Sequence, residues 1–387
     1  MIKRTLAAQM EALLRLYPIV AVTGPRQSGK TTLLVNWFRD YQYVSLENPD
    51  VRSFAVHDPN GFLELYSGRV IFDEVQRAPQ LFSYLQSRVD QSGEMGQFIL
   101  SGSQNYSLMS SITQSLAGRV ALFRLLPLDF SELKNAGQLP DDYAEILLRG
   151  NYPALYQRPI PPSDFYANYT ETYLERDVSE LLKIKDLASF KTFLRLCAGR
   201  AGQILNLSEL ARDAALSVPT VRAWLSVLES SYIVYQLPPY FRNFNKRLVK
   251  SPKLYFYDTG LLCFLLGIKS KEQLALVEQK GAIFENFIIN EFVRQNFHQN
   301  LHREFYFWRS SNGLEVDLLI GGDSPTFDLI EIKATKTIVQ KMFSNLDEVG
   351  EMADNLLGNK ILVYGGNQSQ KRSHYQVWAW ADVKAKV

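Results

Sequence analysis

The first 130 residues alternate short apolar runs with longer segments in which apolar residues recur at helical spacing. The apolar runs, some with polar ends, occupy residues 18–23, 69–74, 97–103 and 121–126, which are the lengths of buried strands. Residues 32–38 follow the first run and have the apolar spacing of a helix. Because buried strands that alternate with helices are typical of parallel sheets, this region is predicted to be an α/β domain with a parallel sheet core.

A cluster of prolines at residues 159–162 interrupts this alternation. Beyond it, residues 163–198 carry apolar side chains at helical spacing, Leu174 and Val178 among them. This periodicity predicts a helical segment that links the α/β domain to the rest of the chain.

Two shorter helical patterns follow, at residues 207–215 and from residue 218 onward. Ser208 is predicted to cap the first of these helices, because a serine side chain accepts a backbone N–H at a helix start. Two short helices with a tight turn between them form a helix-turn-helix. The apolar and aromatic runs at 232–237 and 254–257 would then be the strands of a wing, so the region is predicted to be a winged helix.

The last part of the chain again combines a helix with strands. Residues 283–289 have the pattern of an apolar helix, and residues 314–320 and 329–333 have the pattern of strands. The turn at 321–325 makes these two strands neighbours. The pattern predicts a second α/β domain over residues 269–387.

Composition narrows the class of protein only slightly. The 387 residues are 46% hydrophobic and 21% charged, and a net charge of +2 does not by itself indicate a polyanionic partner. With two cysteines and no secretory segment after Met1, a cytoplasmic setting is predicted. The longest uncharged apolar stretch, residues 259–268, is too short to cross a bilayer, so no membrane association is expected.

Residues 24–31 fit the phosphate-binding pattern GxxxxGK[ST] and lie between the first predicted strand and the first predicted helix. A glycine-rich turn there directs backbone N–H groups and the positive end of a helix dipole at a phosphate. Lys30 is expected to reach the β- and γ-phosphates, and the Thr31 hydroxyl to coordinate Mg²⁺. The predicted nucleotide-binding residues are Gly24, Pro25, Arg26, Gln27, Ser28, Gly29, Lys30, Thr31, Thr32 and Ser103.

Two acidic residues end the second apolar run at positions that suit the metal ion of a phosphate loop. Asp73 is expected to hold Mg²⁺ opposite Thr31, with capping of a helix near Pro79 as the alternative. Glu74 is expected to orient or deprotonate the attacking water, which makes it a predicted catalytic residue.

Ser103 and Arg119 are two further candidates for the same site. Ser103 ends the third run, where its hydroxyl either senses the γ-phosphate or caps a helix. Arg119 precedes the fourth run, and arginine suits the charge that develops on a transferring phosphoryl group. A lone arginine is, however, more often an ion-pair residue.

Four polar residues of the C-terminal part form the pattern of a metal-dependent nuclease. Glu285 lies in the predicted helix, Asp317 in the first strand, and Glu331 and Lys333 on one face of the second strand. Asp317 and Glu331 are expected to bind Mg²⁺ or Mn²⁺, and Lys333 to stabilise the attacking hydroxide or the pentavalent phosphate. The spacing alone is weakly specific, because carboxylates alternate with lysines on any solvated sheet face.

A basic segment, residues 242–253, separates the two strands of the predicted wing. Its cations are Arg242, Lys246, Arg247, Lys250 and Lys253. The outward face of the second short helix would offer Thr220, Arg222 and Ser226 to a groove. These positions predict binding to duplex DNA, with a protein or intramolecular contact as the alternative.

Several phrases carry a resemblance to a known family. They include TGPRQSGKTTLL, YVSLENPDVRSFAVHDP, VIFDEVQRAPQLF, SLAGRVALFRLLPLDFSEL and KRLVKSPKLYFYDTGL, and they occur in order through most of the chain. The chain resembles prokaryotic AAA-type ATPases with a C-terminal domain of unknown function related to restriction endonucleases. The resemblance implies an AAA core of the additional-strand type, ATP as the nucleotide, a homo-oligomer, and Arg119 as a finger or sensor.

The chain departs from the family pattern at two positions. Ser28 stands where valine is usual, and Asn151 replaces the second glycine of a usual Gly-Gly pair. Neither departure endangers ATP binding, and asparagine tolerates a left-handed φ better than most residues. The predicted parts are an AAA-type ATPase domain (1–158), a helical linker (159–200), a winged helix (201–268) and a PD-(D/E)xK endonuclease-like domain (269–387).

The sequence thus predicts a Mg²⁺-dependent ATPase that couples ATP binding or hydrolysis to a nucleic-acid interaction. Two alternatives stay open: a nucleotide-gated switch whose partner is a protein, and an ATP-regulated DNA endonuclease. The expected cofactors are ATP and Mg²⁺.

Overall fold

The computed structural model describes residues 2–103, 112, 115–174, 187–240, 249–322 and 325–384. The chain divides into two compact units. The first comprises Met1–Leu128, Ser230–Tyr232 and Phe297–Asn300, and the second comprises Asp129–Glu229, Ile233–Asn296 and Leu301–Val387. The finer division into four parts stays a prediction.

Five parallel strands form the sheet of the first unit. They are β1 (Ile19–Thr23), β2 (Gln42–Ser45), β3 (Val70–Asp73), β4 (Phe98–Gly102) and β5 (Val120–Arg124). Their order is β2-β3-β4-β1-β5, and all neighbours are parallel, which confirms the predicted parallel core. β4 lies between β1 and β3, the additional-strand arrangement that the resemblance implies.

Helices cover both faces of this sheet. They are α1 (Leu6–Leu13), α2 (Lys30–Trp37), α3 (Pro49–His57), α4 (Pro59–Leu65) and α5 (Leu81–Ser92). On β1, Ile19 and Ala21 belong to the hydrophobic cluster with α3, α4 and α5, whereas Val20 and Val22 belong to the cluster with α1 and α2. Successive strand side chains point to opposite faces, so a strand covered on both sides reads as a continuous apolar run.

Eleven α-helices of the described residues begin in the second unit. They are α6 (Phe130–Asn135), α7 (Tyr143–Arg149), α8 (Ala154–Gln157), α9 (Pro162–Tyr169), α10 (Leu187–Ala198), α11 (Leu207–Asp213), α12 (Val218–Ser230), α13 (Thr259–Leu265), α14 (Lys271–Leu276), α15 (Lys280–His298) and α16 (Ser344–Ala353). A π-helical turn, Thr170–Leu174, extends α9. None of the helices in the described part of the chain has both the length and the apolar character that a bilayer crossing requires.

A mixed sheet of six strands forms the C-terminal part of the second unit. The strands are β8 (Glu304–Arg309), β9 (Glu315–Gly321), β10 (Phe327–Lys333), β11 (Leu357–Tyr364), β12 (Gln370–Lys371) and β13 (Gln376–Ala379), in the order β12-β13-β11-β10-β9-β8. β8, β9 and β10 are antiparallel neighbours, whereas β10, β11 and β13 run parallel. α15 precedes this sheet in the chain, and α16 packs against it through Leu346 and Val349.

Two helices and a hairpin occupy the region predicted to be a winged helix. α11 and α12 are separated by four residues, and β6 (Val234–Leu237) pairs antiparallel with β7 (Lys253–Phe256). The predicted cap Ser208 is wrong. The Asn206 side chain accepts from the backbone N–H groups of Ser208 and Glu209 at 3.1 and 3.2 Å, so Ser208 lies inside α11.

Candidate functional site

The phosphate loop runs from the end of β1 to the start of α2 and needs glycine at two positions. Gly24 has a φ of +149°, and a Cβ there would lie 2.2 Å from the carbonyl oxygen of Leu125. Gly29, with a φ of +93°, immediately precedes α2. Other residues adopt such conformations only with strain. The two glycines therefore fix a loop that ends at a helix N-terminus, where backbone N–H groups suit an anion.

Lys30 lies folded over this loop. Its Nζ donates hydrogen bonds to the carbonyl oxygens of Gly24 and Pro25, both at 2.9 Å. The residue is only 7% exposed, so these carbonyl dipoles compensate the ammonium for lost water. The lysine is therefore held beside the loop, as its place in the motif predicts.

Asp73, at the end of β3, is the centre of a polar network beside the loop. Its Oδ2 accepts from the Thr31 hydroxyl at 2.9 Å and from the Tyr43 hydroxyl at 2.7 Å. Its Oδ1 accepts from the Ser101 hydroxyl and from the backbone N–H of Glu74. The structure thus brings Asp73 and Thr31 together as predicted, and the carboxylate does not cap a helix.

Tyr43 and Ser101 were not singled out in the sequence. They belong to β2 and β4, the two strands that flank β3, and Ser101 is the register partner of Asp73. The only available signal was a polar residue inside an apolar run, and its meaning depends on the strand order.

Glu74 follows Asp73 in the left-handed region, with a φ of +55°. Its Oε2 accepts from the Ser103 hydroxyl at 3.1 Å and from the Gln76 amide at 2.5 Å. The hydroxyl of Ser103 therefore lies against the predicted catalytic carboxylate. Direct contact of Ser103 with a γ-phosphate stays a prediction.

Arg119 lies at the end of the sheet opposite to the phosphate loop. Its carbonyl accepts from the N–H of Ile19, the first residue of β1, whereas the loop follows the last residue. Its side chain forms two hydrogen bonds to Asp90, at 2.5 and 2.8 Å. A sensor role in its own subunit is therefore wrong, because the guanidinium faces away from that subunit's loop. A finger role toward a neighbouring subunit stays a prediction.

Arg4 forms hydrogen bonds that hold the phosphate loop. The sequence did not predict this role, because no motif or periodic pattern distinguishes this arginine. One guanidinium nitrogen donates to the carbonyl oxygen of Ser28, in the loop, at 2.6 Å. Another donates to the carbonyl oxygen of Leu126, just after β5, at 2.6 Å. These two hydrogen bonds link the loop to the end of β5 within the first unit. Arg4 is buried, with 7% of its surface exposed.

A second cluster of charged groups lies in the C-terminal sheet and contains all four residues predicted there. Lys333 Nζ is 2.5 Å from Glu331 Oε1 and 3.9 Å from Asp317 Oδ2. Asp317 Oδ2 also accepts from the N–H of Ile332 at 2.8 Å, which fixes its carboxylate against β10. Carboxylate oxygens of Glu285, Glu315 and Asp317 lie within 4.8 Å of one another.

Three further residues complete this cluster and were not predicted as part of it. Lys253 Nζ lies 2.8 Å from Glu285 Oε1 and also pairs with Glu315. The Tyr255 hydroxyl donates to the same Glu285 oxygen at 2.5 Å. Lys253 and Tyr255 come from β7, so the hairpin contributes side chains to the carboxylate cluster.

The predicted basic segment is corrected at Lys253. This lysine is 2% exposed and bound to two carboxylates, so it is not an exposed cation for nucleic acid. Arg242, Lys246 and Arg247 lie outside the described residues. Lys250 is exposed, as the prediction requires.

Two glutamates of the cluster, Glu285 and Glu331, have a pKa above the ordinary range. Burial raises the pKa of Glu285 to about 7, opposed by Lys253 and assisted by Asp317. Burial and the nearby Asp317 raise the pKa of Glu331 to about 8, although Lys333 opposes the shift. Such shifts are typical of carboxyl groups that are buried close to another carboxylate.

The donor set fits a hard divalent cation. Glu331 Oε2 is buried and has no hydrogen-bond partner in the described part of the chain. Asp317, on β9, is also buried and lies near the same Lys333 ammonium as Glu331. Carboxylate oxygens are the ligands that Mg²⁺ and Mn²⁺ prefer. Asp317 and Glu331 are therefore the residues that could hold a metal ion.

Family models match three parts of the chain. A model described as AAA domain matches residues 16–134, which include the phosphate loop and the Asp73–Glu74 pair. Domains of unknown function, DUF8612 and DUF4143, match residues 140–272 and 280–382. The first part of the chain is therefore an AAA-type P-loop ATPase domain and binds nucleotide.

Similar proteins match over most of the chain. The uncharacterized proteins Rv2008c of Mycobacterium tuberculosis and Mb2031c of Mycobacterium bovis are each 34% identical over 339 residues, 87% of this chain and 74% of the relative. The uncharacterized protein MJ1544 of Methanocaldococcus jannaschii is 23% identical over 345 residues, 81% of this chain and 74% of the relative. The solved Walker-type ATPase paby2304 of Pyrococcus abyssi has a TM-score of 0.45 and 15% identity, covering 69% of this chain and 96% of its own. This chain belongs to the family of AAA-domain proteins that includes Rv2008c and Mb2031c.

Proposed function

We propose that this AAA-type ATPase uses ATP binding or hydrolysis to control an interaction with nucleic acid, and that its C-terminal sheet is an endonuclease-like domain that cleaves phosphodiester bonds. The observation that carries the proposal is the meeting of Glu285, Asp317, Glu331 and Lys333 in one cluster. These residues come from α15, β9 and β10, and only the fold brings them together.

Burial distinguishes this cluster from an ordinary charged sheet face. Asp317 is 7% exposed and Glu331 is 2% exposed, whereas carboxylates on a solvated face lie in water. Burying like charges costs free energy unless a cation compensates them. A divalent ion between these carboxylates would supply that compensation, which supports a metal site over a structural role.

The cluster offers the groups that phosphodiester hydrolysis needs. Asp317 and Glu331 would hold Mg²⁺ or Mn²⁺, which when bound lowers the pKa of water and neutralises charge on a phosphate. Lys333 places an ammonium beside the same carboxylates, at 2.5 Å from Glu331, so it would stabilise the attacking hydroxide or the pentavalent phosphate.

The ATP site offers the groups that phosphoryl transfer needs. Lys30 would contact the β- and γ-phosphates, while Thr31 and Asp73 would hold Mg²⁺ with the nucleotide. Glu74 would accept a proton from the attacking water or orient it. The hydrogen bonds from Ser103 and Gln76 hold the Glu74 carboxylate in one orientation.

The helix-turn-helix favours nucleic acid as the partner that ATP controls. On α12, Arg222 and Ser226 are exposed, while Thr220 is half-buried and shares a hydrogen bond with Ser217 at 2.7 Å. A second helix with exposed polar side chains suits a DNA groove in a winged helix. The same helix could contact a protein. The phosphate chemistry proposed for the C-terminal cluster supports nucleic acid as the partner.

The test is nicking of supercoiled plasmid in the presence of Mn²⁺. The wild type is expected to convert supercoiled plasmid to open circles, and D317A and K333A are expected to lose this activity. Lys336 is an exposed lysine just beyond β10, so K336A is the matched control and should nick like the wild type. Plasmid that stays supercoiled with the wild type, or is nicked equally by D317A and K333A, contradicts the proposed cleavage site.

A further inference from the structure

Lys253 is a buried lysine inside a set of oxygens spaced as metal ligands are. Its Nζ is 2.8 Å from Glu285 Oε1 and also pairs with Glu315 Oε1. Carboxylate oxygens of Glu285, Glu315 and Asp317 all lie within 4.8 Å of one another, a spacing that one cation could span. The Lys253 ammonium is therefore a cation already bound among these carboxylate oxygens.

We propose that Lys253 takes the place of a second divalent cation, so that this cluster binds a single metal ion, at Asp317 and Glu331. The inference rests on the proposed metal-dependent site and states how many metal ions that site holds. Many phosphoryl-transfer sites use two metal ions a few ångströms apart, so the number is a property of the individual protein.

The surroundings of Lys253 keep its ammonium charged and in position. Lys253 begins β7, where it is the register partner of Leu237, and its exposed fraction is 2%. Its Nζ also lies 5.4 Å from the centre of the Phe307 ring, a favourable distance for a cation over an aromatic face. Burial disfavours the ammonium, but Glu285, Asp317 and Glu315 outweigh it and hold the pKa above the ordinary range.

The formal charges of the cluster also favour one divalent ion. Four carboxyl groups face three cations, the third cation being Arg309, which pairs with Glu315 at 2.9 Å. Fully ionised, the cluster therefore carries one net negative charge. One divalent ion would leave a single positive charge to meet a phosphate, whereas two would leave a strong excess of positive charge.

The two halves of the cluster differ in what they lack. Glu285 and Glu315 each have Lys253 as a counter-cation. Glu331 has Lys333 as a counter-cation, at 2.5 Å from its Oε1. Its Oε2, in contrast, is buried without a hydrogen-bond partner among the described residues. The single metal ion is therefore expected on the Asp317–Glu331 side, where an oxygen still needs a cation.

The experiment counts bound Mn²⁺ by calorimetry and by electron paramagnetic resonance of free Mn²⁺, with full-length, nucleotide-free protein. All variants carry D73N, which removes the carboxylate expected to bind the metal ion of the ATP site. D73N alone is expected to bind one Mn²⁺, and D73N/K253M is expected to bind two. D73N/K253R keeps a cation in place and is expected to stay at one.

Each other outcome has a definite meaning. Two Mn²⁺ in D73N, or one in D73N/K253M with a native circular dichroism spectrum, overturns the role of Lys253 and leaves the metal-dependent site intact. No Mn²⁺ in D73N, matching D73N/D317N, refutes the metal site itself and the inference with it. If D73N/K253M unfolds in metal-free buffer, it is expected to fold when Mn²⁺ is added, and failure to do so also overturns the inference.

Discussion

Two side chains outside the phosphate-loop motif, those of Tyr43 and Arg4, form hydrogen bonds with residues of the ATP site. The Tyr43 hydroxyl shares Asp73 Oδ2 with the Thr31 hydroxyl, at 2.7 and 2.9 Å. The Arg4 guanidinium donates one hydrogen bond to the carbonyl oxygen of Ser28, in the loop, and another to the carbonyl oxygen of Leu126. Neither contact depends on nearby sequence, so both can be tested without altering the motif itself.

Removing the Tyr43 hydroxyl is expected to weaken the binding of the Mg²⁺ that ATP hydrolysis requires. In Y43F, Asp73 loses one donor, and the Mg²⁺ concentration for half-maximal hydrolysis should rise by up to about tenfold, as for a hydrogen bond to a charged group. Mg²⁺ titrations of hydrolysis at saturating ATP measure this effect. Tyr84, an exposed tyrosine on α5, gives the control Y84F, and equal Mg²⁺ dependence in both variants would contradict the role of Tyr43.

Removing the pair of Arg4 hydrogen bonds is expected to loosen the phosphate loop. Lysine keeps the charge but cannot donate to both carbonyl oxygens in the same geometry. R4K should therefore raise the KM for ATP by about tenfold, with a smaller change in kcat. R15K changes an exposed arginine just beyond α1 and is the control. A KM unchanged in R4K would show that the loop does not need these hydrogen bonds.

The residue scale is also where the sequence was least informative. Lys253 belongs to a run of cations without acids, and that context predicts an exposed side chain. The pairing of β6 with β7 instead buries it against Glu285 and Glu315, which are far away in the chain. A local sequence pattern gives the charge and spacing of residues, but it does not show the long-range contacts that determine whether a side chain is buried.

At the scale of elements, apolar runs predicted four of the five strands of the parallel sheet. The runs that predicted β1, β3, β4 and β5 all form strands of one parallel sheet, because a strand buried on both faces must be apolar throughout. The motif then fixed the loop between β1 and α2. Element ends were harder to predict, as the cap of α11 at Asn206 shows, since several neighbouring polar residues can accept the same N–H groups.

Helix α15 carries a buried acid whose titration has a consequence for stability. Burial raises the pKa of Glu291 to about 8 from an ordinary 4.5, opposed by Arg294 and assisted by Asp129. Glu291 also accepts from the N–H of Phe130 at 2.9 Å, so it joins α15 to the start of α6. The folded state keeps the proton over a pH range in which the unfolded state has lost it.

The pH dependence follows from this difference. The stabilisation is complete below the unfolded pKa of 4.5 and is lost as pH rises through about 8, where folded Glu291 ionises. In this window, E291Q should lose less unfolding free energy than the wild type, by at most about 1.4 kcal/mol per pH unit. Urea unfolding followed by tryptophan fluorescence at several pH values measures both slopes. Identical slopes would contradict the buried, protonated carboxyl.

The exposed face of α12 makes a separate prediction about nucleic acid. Reversing one cation in R222E should weaken binding to duplex DNA and lower its salt dependence by about one ion, since a phosphate contact releases a counterion. Fluorescence anisotropy across a salt series measures both quantities. Arg212 is an exposed arginine on α11, and R212E is the comparison. Equal losses in the two variants would indicate general electrostatics instead of a docked helix.

At the scale of the whole molecule, Arg119 makes the predicted homo-oligomer testable. Since it lies at the end of the sheet opposite to its own loop, direct action of its guanidinium on ATP hydrolysis requires a neighbouring subunit. R119A should lower hydrolysis by about a thousandfold if it acts as an arginine finger. Mixing R119A with inactive K30A should restore part of the activity, because K30A subunits would donate Arg119 to intact ATP sites. Mixtures as inactive as their components would exclude a finger role.

The central claim is that nucleotide hydrolysis in the AAA domain is coupled to nucleic acid. Its most direct test is steady-state ATP hydrolysis with Mg²⁺, with and without duplex DNA, and with E74Q as the control that keeps the fold and removes the carboxylate. The account predicts hydrolysis that rises with DNA and disappears in E74Q. Hydrolysis that is the same with and without DNA, or no faster than in E74Q, would contradict the coupling and favour a nucleotide-gated switch with a protein partner.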